Sequence, residues 1–307
     1  MVVSVPASVP GVADVELLGD GGAAPGLVVE VPHGADRREH YDALRARLTG
    51  SLPADLHEFF FVNTDVGAWQ VGRRVAERVV ADGAAASALV VRSLIPRTFI
   101  DCNRLEDATE DLGGSHLTAS VPAYLADPAD RATLLGLHRR YVHIVEAALS
   151  CLAPRGFLLM PHTYGPVTLG IERIDEDIVF ALRRAHAPEQ LATWPVRPQV
   201  DLITRTVDGK LWASAAVAGD VAAAYRTLGL TVAENTSYHL HPSTLGLRLA
   251  MRLPERSLSL EIRRDLLCPR WTWNAENDVD PGAADRFAAP IAAAIGAWFR
   301  ARAATPD

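Results

Sequence analysis

The chain contains 307 residues, of which 49% are hydrophobic and 22% charged, a composition typical of globular rather than disordered proteins. Its formal net charge of -7 argues against a general nucleic-acid or membrane-surface binder, because such proteins carry a basic face. Three widely separated cysteines disfavour a disulfide scaffold and a cysteine-bound metal. Without a signal-peptide pattern or a long apolar run, the sequence predicts a soluble, cytoplasmic protein with no membrane or nucleic-acid partner.

Short apolar runs alternate along the chain with segments of helical periodicity, a pattern typical of a parallel sheet covered by helices. The runs that predict buried strands lie, in chain order, at residues 28–31, 59–62, 88–95, 157–160 and 258–262. Helical spacing of apolar residues predicts helices at 37–48, 67–81, 128–150, 174–185, 217–228 and 284–301. The predicted fold class is therefore α/β, with a mixed, largely parallel sheet flanked by helices.

Two stretches lack this regularity. Residues 105–127 show little periodicity and predict a long surface loop, a feature that is often functional in compact enzymes. Three prolines within 186–200 could separate two halves of the chain. A single α/β domain spanning residues 1–307 is the simpler interpretation.

Polar side chains follow most of the predicted strands at the point where each strand ends. The first four strands run, in order, into Pro32-His33, Asn63-Thr64-Asp65, Pro96-Arg97 and Pro161-His162. Proline stops a strand because it lacks the backbone N–H and has a fixed φ. Since ligands of open α/β sheets bind at the carboxyl ends of strands, these side chains are expected to meet there.

Two histidines and one carboxylate are a common zinc set in hydrolases, leaving one position open for water. Zinc lowers the pKa of that water toward about 7, and a carboxylate outside the ligand set then moves its proton. His33, Asp65 and His162 would supply the ligands of one zinc ion per chain. Glu261 is the candidate base, because a carboxylate inside the apolar alternation of the last strand needs a partner or a site.

Substrate-binding groups are predicted in the segment that follows the third strand. Arg97, Asn103 and Arg104 are suited to polarising a carbonyl and holding a carboxylate, because guanidinium binds carboxylate through two parallel hydrogen bonds. Tyr164, two residues beyond the second histidine, either bonds the substrate or packs. His241 shares one face of an extended segment with His239, and the pair either lines the pocket or is structural.

Five fragments, VEVPHG, FVNTDVGAW, IPRTFIDCNR, LMPHTYG and LEIRRDLL, occur in this order within residues 27–268. The ordered set resembles the N-formylglutamate amidohydrolase (deformylase) family, which is related to zinc carboxypeptidases and aspartoacylases. The resemblance implies a zinc-carboxypeptidase-like fold in which both Pro-His histidines bind zinc. It also implies that Asn103 and Arg104 bind the substrate carboxylate, that Arg97 polarises the carbonyl and that Glu261 is the general base.

The chain departs from the family pattern at two places. Where the family commonly reads D-x-H-S, this chain has Met160-Pro161-His162-Thr163, without the acidic residue. Residues 238–242 replace a stretch that is often glycine-rich in the family, and substrate contacts, including His241, are expected there.

The third metal ligand has two candidates. Asp65 is preferred, but Asp36 stands three residues after His33, the H-x-x-[DE] spacing of zinc carboxypeptidases. Asp36 is equally placed to cap the helix predicted at 37–48.

The resemblance implies zinc-dependent hydrolysis of a small N-formyl or N-acyl amino acid such as N-formylglutamate. Two alternatives remain. One is a carboxypeptidase-like or aspartoacylase-like zinc hydrolase with another substrate, and the other is a non-catalytic carboxylate-binding protein of the same fold.

Overall fold

The apolar runs build one sheet in the computed structural model, which describes residues 4–107, 119–171 and 173–303. The strands in this part of the chain are β1 (Ala13–Gly19), β2 (Leu27–Val31), β3 (Ser87–Ser93), β4 (Phe157–Tyr164), β5 (Val200–Ile203), β6 (Val232–Glu234) and β7 (Ser257–Arg263). The helices are α1 (Arg38–Arg45), α2 (His57–Asn63), α3 (Ala68–Ala81), α4 (Pro128–Ser150), α5 (Ile178–Ala185), α6 (Pro188–Leu191), α7 (Ala215–Thr227), α8 (Leu245–Arg252) and α9 (Pro281–Ala303).

The strands lie in the order β1-β3-β2-β4-β7-β5-β6. The four central strands, β3, β2, β4 and β7, run parallel to one another. At the sides, β1 is antiparallel to β3 and β5 is antiparallel to β7, while β6 is parallel to β5. The predicted α/β class with a largely parallel sheet is therefore confirmed. β1, β5 and β6 were not predicted, because their short or partly polar sequences form no continuous apolar run.

The core is divided between the two faces of the sheet. Side chains alternate along β2, so that Val28 belongs to one apolar cluster while Val29 and Val31 belong to the other. Residues of α1, α2, α4, α5 and α8 complete the first cluster, and residues of α3, α7 and α9 complete the second. Helices thus cover both faces, and the carboxyl ends of the central strands remain for a site.

The strand predicted at 59–62 is wrong, because these residues form helix α2. Phe59, Phe60 and Phe61 are all buried, and three consecutive buried residues hide the helical period. Phe60 contacts both Phe61 and Tyr41, with ring centroids 5.1 and 5.5 Å apart. A short apolar run cannot by itself distinguish a buried strand from a buried helix.

The other predicted elements are present with shifted ends. β4 continues beyond residue 160 to Tyr164, and α5 begins at Ile178 rather than at residue 174. Residues 108–118 of the predicted loop at 105–127 lie outside the described residues, and its described flanks contain neither helix nor strand. No helix in the described ranges has both the length and the apolar character that a membrane span requires.

Candidate active site

Two histidines and an aspartate meet at the carboxyl end of the sheet. His33 follows β2 and His162 lies in the adjacent parallel strand β4, so the two imidazoles lie close, with ring centroids 5.4 Å apart. Asp65 arrives from the loop after α2, and its backbone N–H donates to the His33 carbonyl at 3.2 Å. Both Nδ1 atoms approach Asp65 Oδ2, at 3.1 Å from His33 and 2.9 Å from His162.

This group fits a metal ion. All three side chains are buried, and one ligand atom from each lies within 4.8 Å of the others. A neutral Nδ1 that faces a carboxylate oxygen presents a lone pair to a lone pair, so a proton or a cation belongs between them. Two imidazole nitrogens and one carboxylate oxygen are ligands that zinc accepts.

The ionisation of the group shows how strongly its members interact. Burial favours the neutral acid, but His33 and His162 outweigh it and hold the pKa of Asp65 well below its usual range. Burial also disfavours a charged imidazole, yet Asp65 raises the pKa of His162 to about 9. The aspartate is therefore ionised at neutral pH and available as a ligand.

Asp101 orients His33, a role that sequence reasoning missed although the residue lies inside the quoted fragment IPRTFIDCNR. Its Oδ1 accepts from His33 Nε2 at 2.8 Å and from the Asn103 backbone N–H at 2.8 Å. Since an ionised carboxylate only accepts, the proton of a neutral His33 resides on Nε2 and Nδ1 is left for a metal. Burial opposes ionisation of Asp101, but Arg97, His33 and Arg104 hold its pKa well below the usual range.

Arg264 is a second residue that sequence reasoning missed, in the quoted fragment LEIRRDLL. Its guanidinium is buried, donates to the Thr163 carbonyl at 2.8 Å and lies 3.4 Å from Asp65 Oδ1. The two oxygens of Asp65 therefore face different partners, the histidines on one side and Arg264 on the other. The role of this arginine could not be predicted from the local sequence, because its partner Asp65 is 199 residues away.

The alternative ligand Asp36 lies outside this group. Its carboxylate is buried and forms an ion pair with Arg92, with an N–O distance of 2.7 Å. The structure thus brings Asp65, and not Asp36, together with the two histidines.

Glu261 lies beside His162, because the two residues are directly opposite in the parallel register of β4 and β7. Its Oε2 atom is buried and has no hydrogen-bond partner among the described residues. Burial and the nearby charge of Asp65 raise the pKa of Glu261 to about 7, against the opposing effects of His162 and two arginines. A carboxylate with a pKa near neutrality is suited to accepting and returning a proton.

The predicted substrate-binding residues of the third motif all line the same cavity. Arg97 donates from Nε to Asp101 Oδ2 at 3.0 Å, and the charges of Asp101 and Asp65 overcome burial to raise its pKa. Asn103 accepts the Gly246 N–H, at the start of α8, at 2.9 Å, so its side-chain oxygen is already bonded. Arg104 is buried, with Nε 3.9 Å from Asp101, and burial lowers its pKa.

Tyr164 and His241 lie in different surroundings. Tyr164 lines the cavity at the end of β4, but its hydroxyl donates to the Pro198 carbonyl at 2.7 Å. His241 is absent from the lining, and its Nδ1 lies 2.8 Å from the Ser243 hydroxyl. The structure thus brings together the predicted site residues except His241, while its neighbour His239 lines the cavity.

The cavity that joins these groups has a volume of about 310 Å³. Its lining includes the polar residues described above and apolar residues such as Phe59, Leu169 and Ile174. Trp273 also lines it, stacked on His186 with ring centroids 4.2 Å apart. A space of this volume has room for a small molecule, and its arginines suit an anionic one.

The solved structures that share this fold include two proteins. One is the N-formylglutamate amidohydrolase from Ralstonia eutropha JMP134, with 18% identity over 94% of this chain and 99% of that chain, and a TM-score of 0.54. The other is the gene product Atu2144 from Agrobacterium tumefaciens, with 17% identity, 95% and 96% coverage and a TM-score of 0.55. No family model and no curated protein matches the chain. The resemblance seen in the sequence is therefore supported at the level of the fold.

Proposed function

We propose that this chain is a zinc-dependent amidohydrolase that cleaves the amide C–N bond of a small N-formyl or N-acyl amino acid, with N-formylglutamate as its first candidate. One observation carries the proposal: two imidazole Nδ1 atoms approach a single aspartate oxygen, at 3.1 and 2.9 Å, in the cavity that Glu261 also lines. The name of the R. eutropha protein, with which the chain shares its fold, supports amide hydrolysis as the reaction.

His33, Asp65 and His162 would hold one zinc ion per chain. When bound, zinc acts as a Lewis acid and makes water a stronger acid. The second oxygen of Asp65 stays with Arg264, and Asp101 keeps the His33 ring in the ligating orientation. Binding the ion therefore requires no new partner for either of these two ligands.

Glu261 would move the proton. Its carboxylate would accept a proton from the attacking water and later deliver it to the leaving amine nitrogen. The side chain is suited to this role because Glu261 lines the cavity and its buried Oε2 has no hydrogen-bond partner among the described residues. A pKa of about 7 lets the group hold the proton between the two transfers at neutral pH.

The arginines and Asn103 would orient the substrate. Arg97, fixed by Asp101, would place its guanidinium against the carbonyl oxygen of the scissile amide. Asn103 and Arg104 would hold the α-carboxylate through their N–H groups, since the Asn103 side-chain oxygen already accepts from Gly246. Tyr164 would contact the substrate with its ring, because its hydroxyl is bonded to Pro198.

Metal content is the first test. We expect about one zinc ion per chain in the purified protein, and loss of that zinc in His33→Ala and His162→Ala. His143→Ala is the matched control, because His143 lies exposed on α4 and is not part of the cavity lining. Wild-type protein that stays metal-free after incubation with zinc would contradict the proposal.

A substrate panel then separates the related reactions. Zinc-loaded protein is assayed with N-formyl amino acids, N-acetyl amino acids including N-acetylaspartate, and dipeptides with a free carboxylate. Release of formate from the first group is the expected result. Turnover of dipeptides or of N-acetylaspartate alone would instead assign a carboxypeptidase-like or an aspartoacylase-like reaction. Tight carboxylate binding without turnover of any compound would indicate a binding protein.

A further inference from the structure

Arg197 lines the cavity in the segment between α6 and β5, where several contacts orient its side chain. Its guanidinium carbon lies 5.0 Å from the centre of the Tyr164 ring and 5.6 Å from that of Tyr238. Nε donates to the Thr168 hydroxyl at 3.0 Å, and Nη2 approaches the Tyr238 hydroxyl at 3.4 Å. Its backbone N–H also donates to the Pro166 carbonyl at 2.9 Å. The position of the charge is therefore set before any ligand arrives.

The other arginines of the cavity have carboxylate partners. Arg97 lies 3.0 Å and Arg104 lies 3.9 Å from Asp101, and Arg264 lies 3.4 Å from Asp65. Within the described ranges, no carboxylate oxygen lies within 4.0 Å of the Arg197 side chain, which is nevertheless partly buried. Guanidinium is charged at every relevant pH, and partial burial of such a charge is offset when an anion binds it.

We propose that Arg197 binds a second carboxylate of the substrate, the side-chain carboxylate of an acidic N-acyl amino acid. This inference rests on the proposed function, in which Asn103 and Arg104 hold the α-carboxylate. Guanidinium is suited to the task because its planar fork matches the two oxygens of a carboxylate. The contacts with Tyr164 and Tyr238 orient the fork, and together with Arg197 they form the specificity element of the site.

The test compares N-formylglutamate with N-formylglutamine, which have the same shape and differ by one charge. Wild-type protein is expected to prefer N-formylglutamate. In Arg197→Gln, we expect KM for N-formylglutamate to rise about 10- to 100-fold with little change in kcat, the effect of losing a hydrogen-bonded charge pair. With each protein assayed at its own pH optimum, the kinetics on N-formylglutamine should stay unchanged, so that the preference disappears. Arg197→Lys should restore part of it.

Arg226→Gln is the matched control, because Arg226 is exposed on α7 and does not line the cavity. It should leave the preference intact. Equal losses on both substrates in Arg197→Gln would overturn the inference, because the arginine would then act on the α-carboxylate, on Glu261 or on the fold. A wild-type preference for N-formylphenylalanine would overturn it too, since the apolar residues of the cavity lining would then select the side chain.

Glu261 needs a separate check, because Arg197 helps to lower its pKa. The pH profile of kcat on N-formylglutamine reports this second effect directly. Loss of the substrate preference at every pH, whether or not the profile shifts, supports side-chain recognition. If Arg197→Gln shifts the pH profile of kcat to higher pH but keeps the preference for N-formylglutamate, the inference is overturned.

A binding measurement separates failure of this inference from failure of the proposed function. Calorimetry on zinc-loaded protein compares glutarate, with two carboxylates, with butyrate, which has one. If wild-type protein hydrolyses no amide, the proposed function fails, yet a glutarate preference that Arg197→Gln abolishes still supports the inference. If wild-type protein hydrolyses formyl amino acids and Arg197→Gln keeps the glutamate preference, only the inference fails.

Discussion

Two sets of cavity-lining residues, which we call walls of the cavity, differ in whether their charged groups have partners within the protein. On the first, which we call the paired wall, His33, Asp65, Asp101, Arg97 and Arg264 each have a charged or hydrogen-bonding partner within the protein. On the second, the open wall, Glu261 Oε2 has no hydrogen-bond partner, and no carboxylate oxygen lies within 4.0 Å of the Arg197 side chain, among the described residues.

The difference separates the residues proposed to hold the metal ion from those proposed to transfer a proton or to recognise the substrate. Partners on the paired wall fix orientation and ionisation, which a metal ligand needs before the ion arrives. Groups on the open wall retain a cost of burial that a water, a leaving group or a substrate anion can offset. Substitutions on the paired wall should therefore reduce metal binding, whereas substitutions on the open wall should reduce turnover or change the substrate preference.

The largest effect is expected on the open wall, at Glu261. Glu261→Gln keeps the shape of the side chain but removes its ability to accept a proton. We expect kcat to fall about 10²- to 10⁴-fold while the zinc content stays unchanged. The measurement is the rate of formate release with metal analysis of the same samples. Glu189→Gln, on the exposed surface of α6, is the control, and full activity of Glu261→Gln would rule out the proton-transfer role.

Asp65→Asn tests the centre of the paired wall. It leaves the side-chain volume unchanged but removes the charge that both histidines and Arg264 face. We expect zinc affinity to fall at least about 100-fold, more than for changes beyond the ligands, with activity lost in proportion. Competition with a chelator measures the affinity. Asp36→Asn serves as the comparison, and if it lost zinc while Asp65→Asn kept it, the ligand assignment would be wrong.

A smaller effect is expected at Asp101, which orients a ligand without belonging to the ligand set. Asp101→Asn weakens the bond to His33 Nε2 and releases Arg97. Zinc affinity should fall about 10- to 100-fold, and kcat should remain reduced when the metal is restored by excess zinc. Complete recovery of kcat at saturating zinc would show that Arg97 needs no support from Asp101.

The smallest effect is a pH dependence of the metal-free protein. Asp65 raises the pKa of His162 from 6.5 to about 9, so the folded state binds the proton more tightly than the unfolded state. The resulting stabilisation is fully present below pH 6.5 and is lost as the pH rises through 9. We expect Tm to fall by a few degrees over this range.

Thermal unfolding of wild-type and His162→Gln protein, both stripped of metal, isolates this contribution. The wild-type decrease between pH 6.5 and 9 should be larger than that of the variant. Identical pH dependences would mean that His162 and Asp65 do not share a proton. Zinc affinity should rise over the same range, because the proton must leave before the imidazole can bind the ion.

Much of the paired wall could be predicted from local sequence. His33 and His162 follow apolar runs that end at proline, and these runs became neighbouring parallel strands. Asp65 was placed with them although the run before it is a helix rather than a strand. The error did not matter for the site, because the loop after α2 reaches the same sheet edge and its backbone bonds to the His33 carbonyl.

The open wall and the supporting contacts could not be predicted in this way. Asp101 stood inside a quoted motif, but its bond to His33 spans 68 positions. Arg197 lies in a proline-containing stretch read only as a break, and the rings that hold it come from β4 and from residue 238. Such contacts depend on loop paths, which carry no periodic signal.

The sequence by itself determined the α/β class and brought His33, Arg97 and His162 to the carboxyl-end region of the central strands, because periodicity and proline act over a few neighbouring positions. Tertiary structure alone decided which carboxylate joins the two histidines, placing Asp65 there and pairing Asp36 with Arg92. It also decided which charges are matched within the protein and which face the cavity. The physical reason is that charge pairing depends on distances of a few ångströms between atoms that strand order and loop paths bring together.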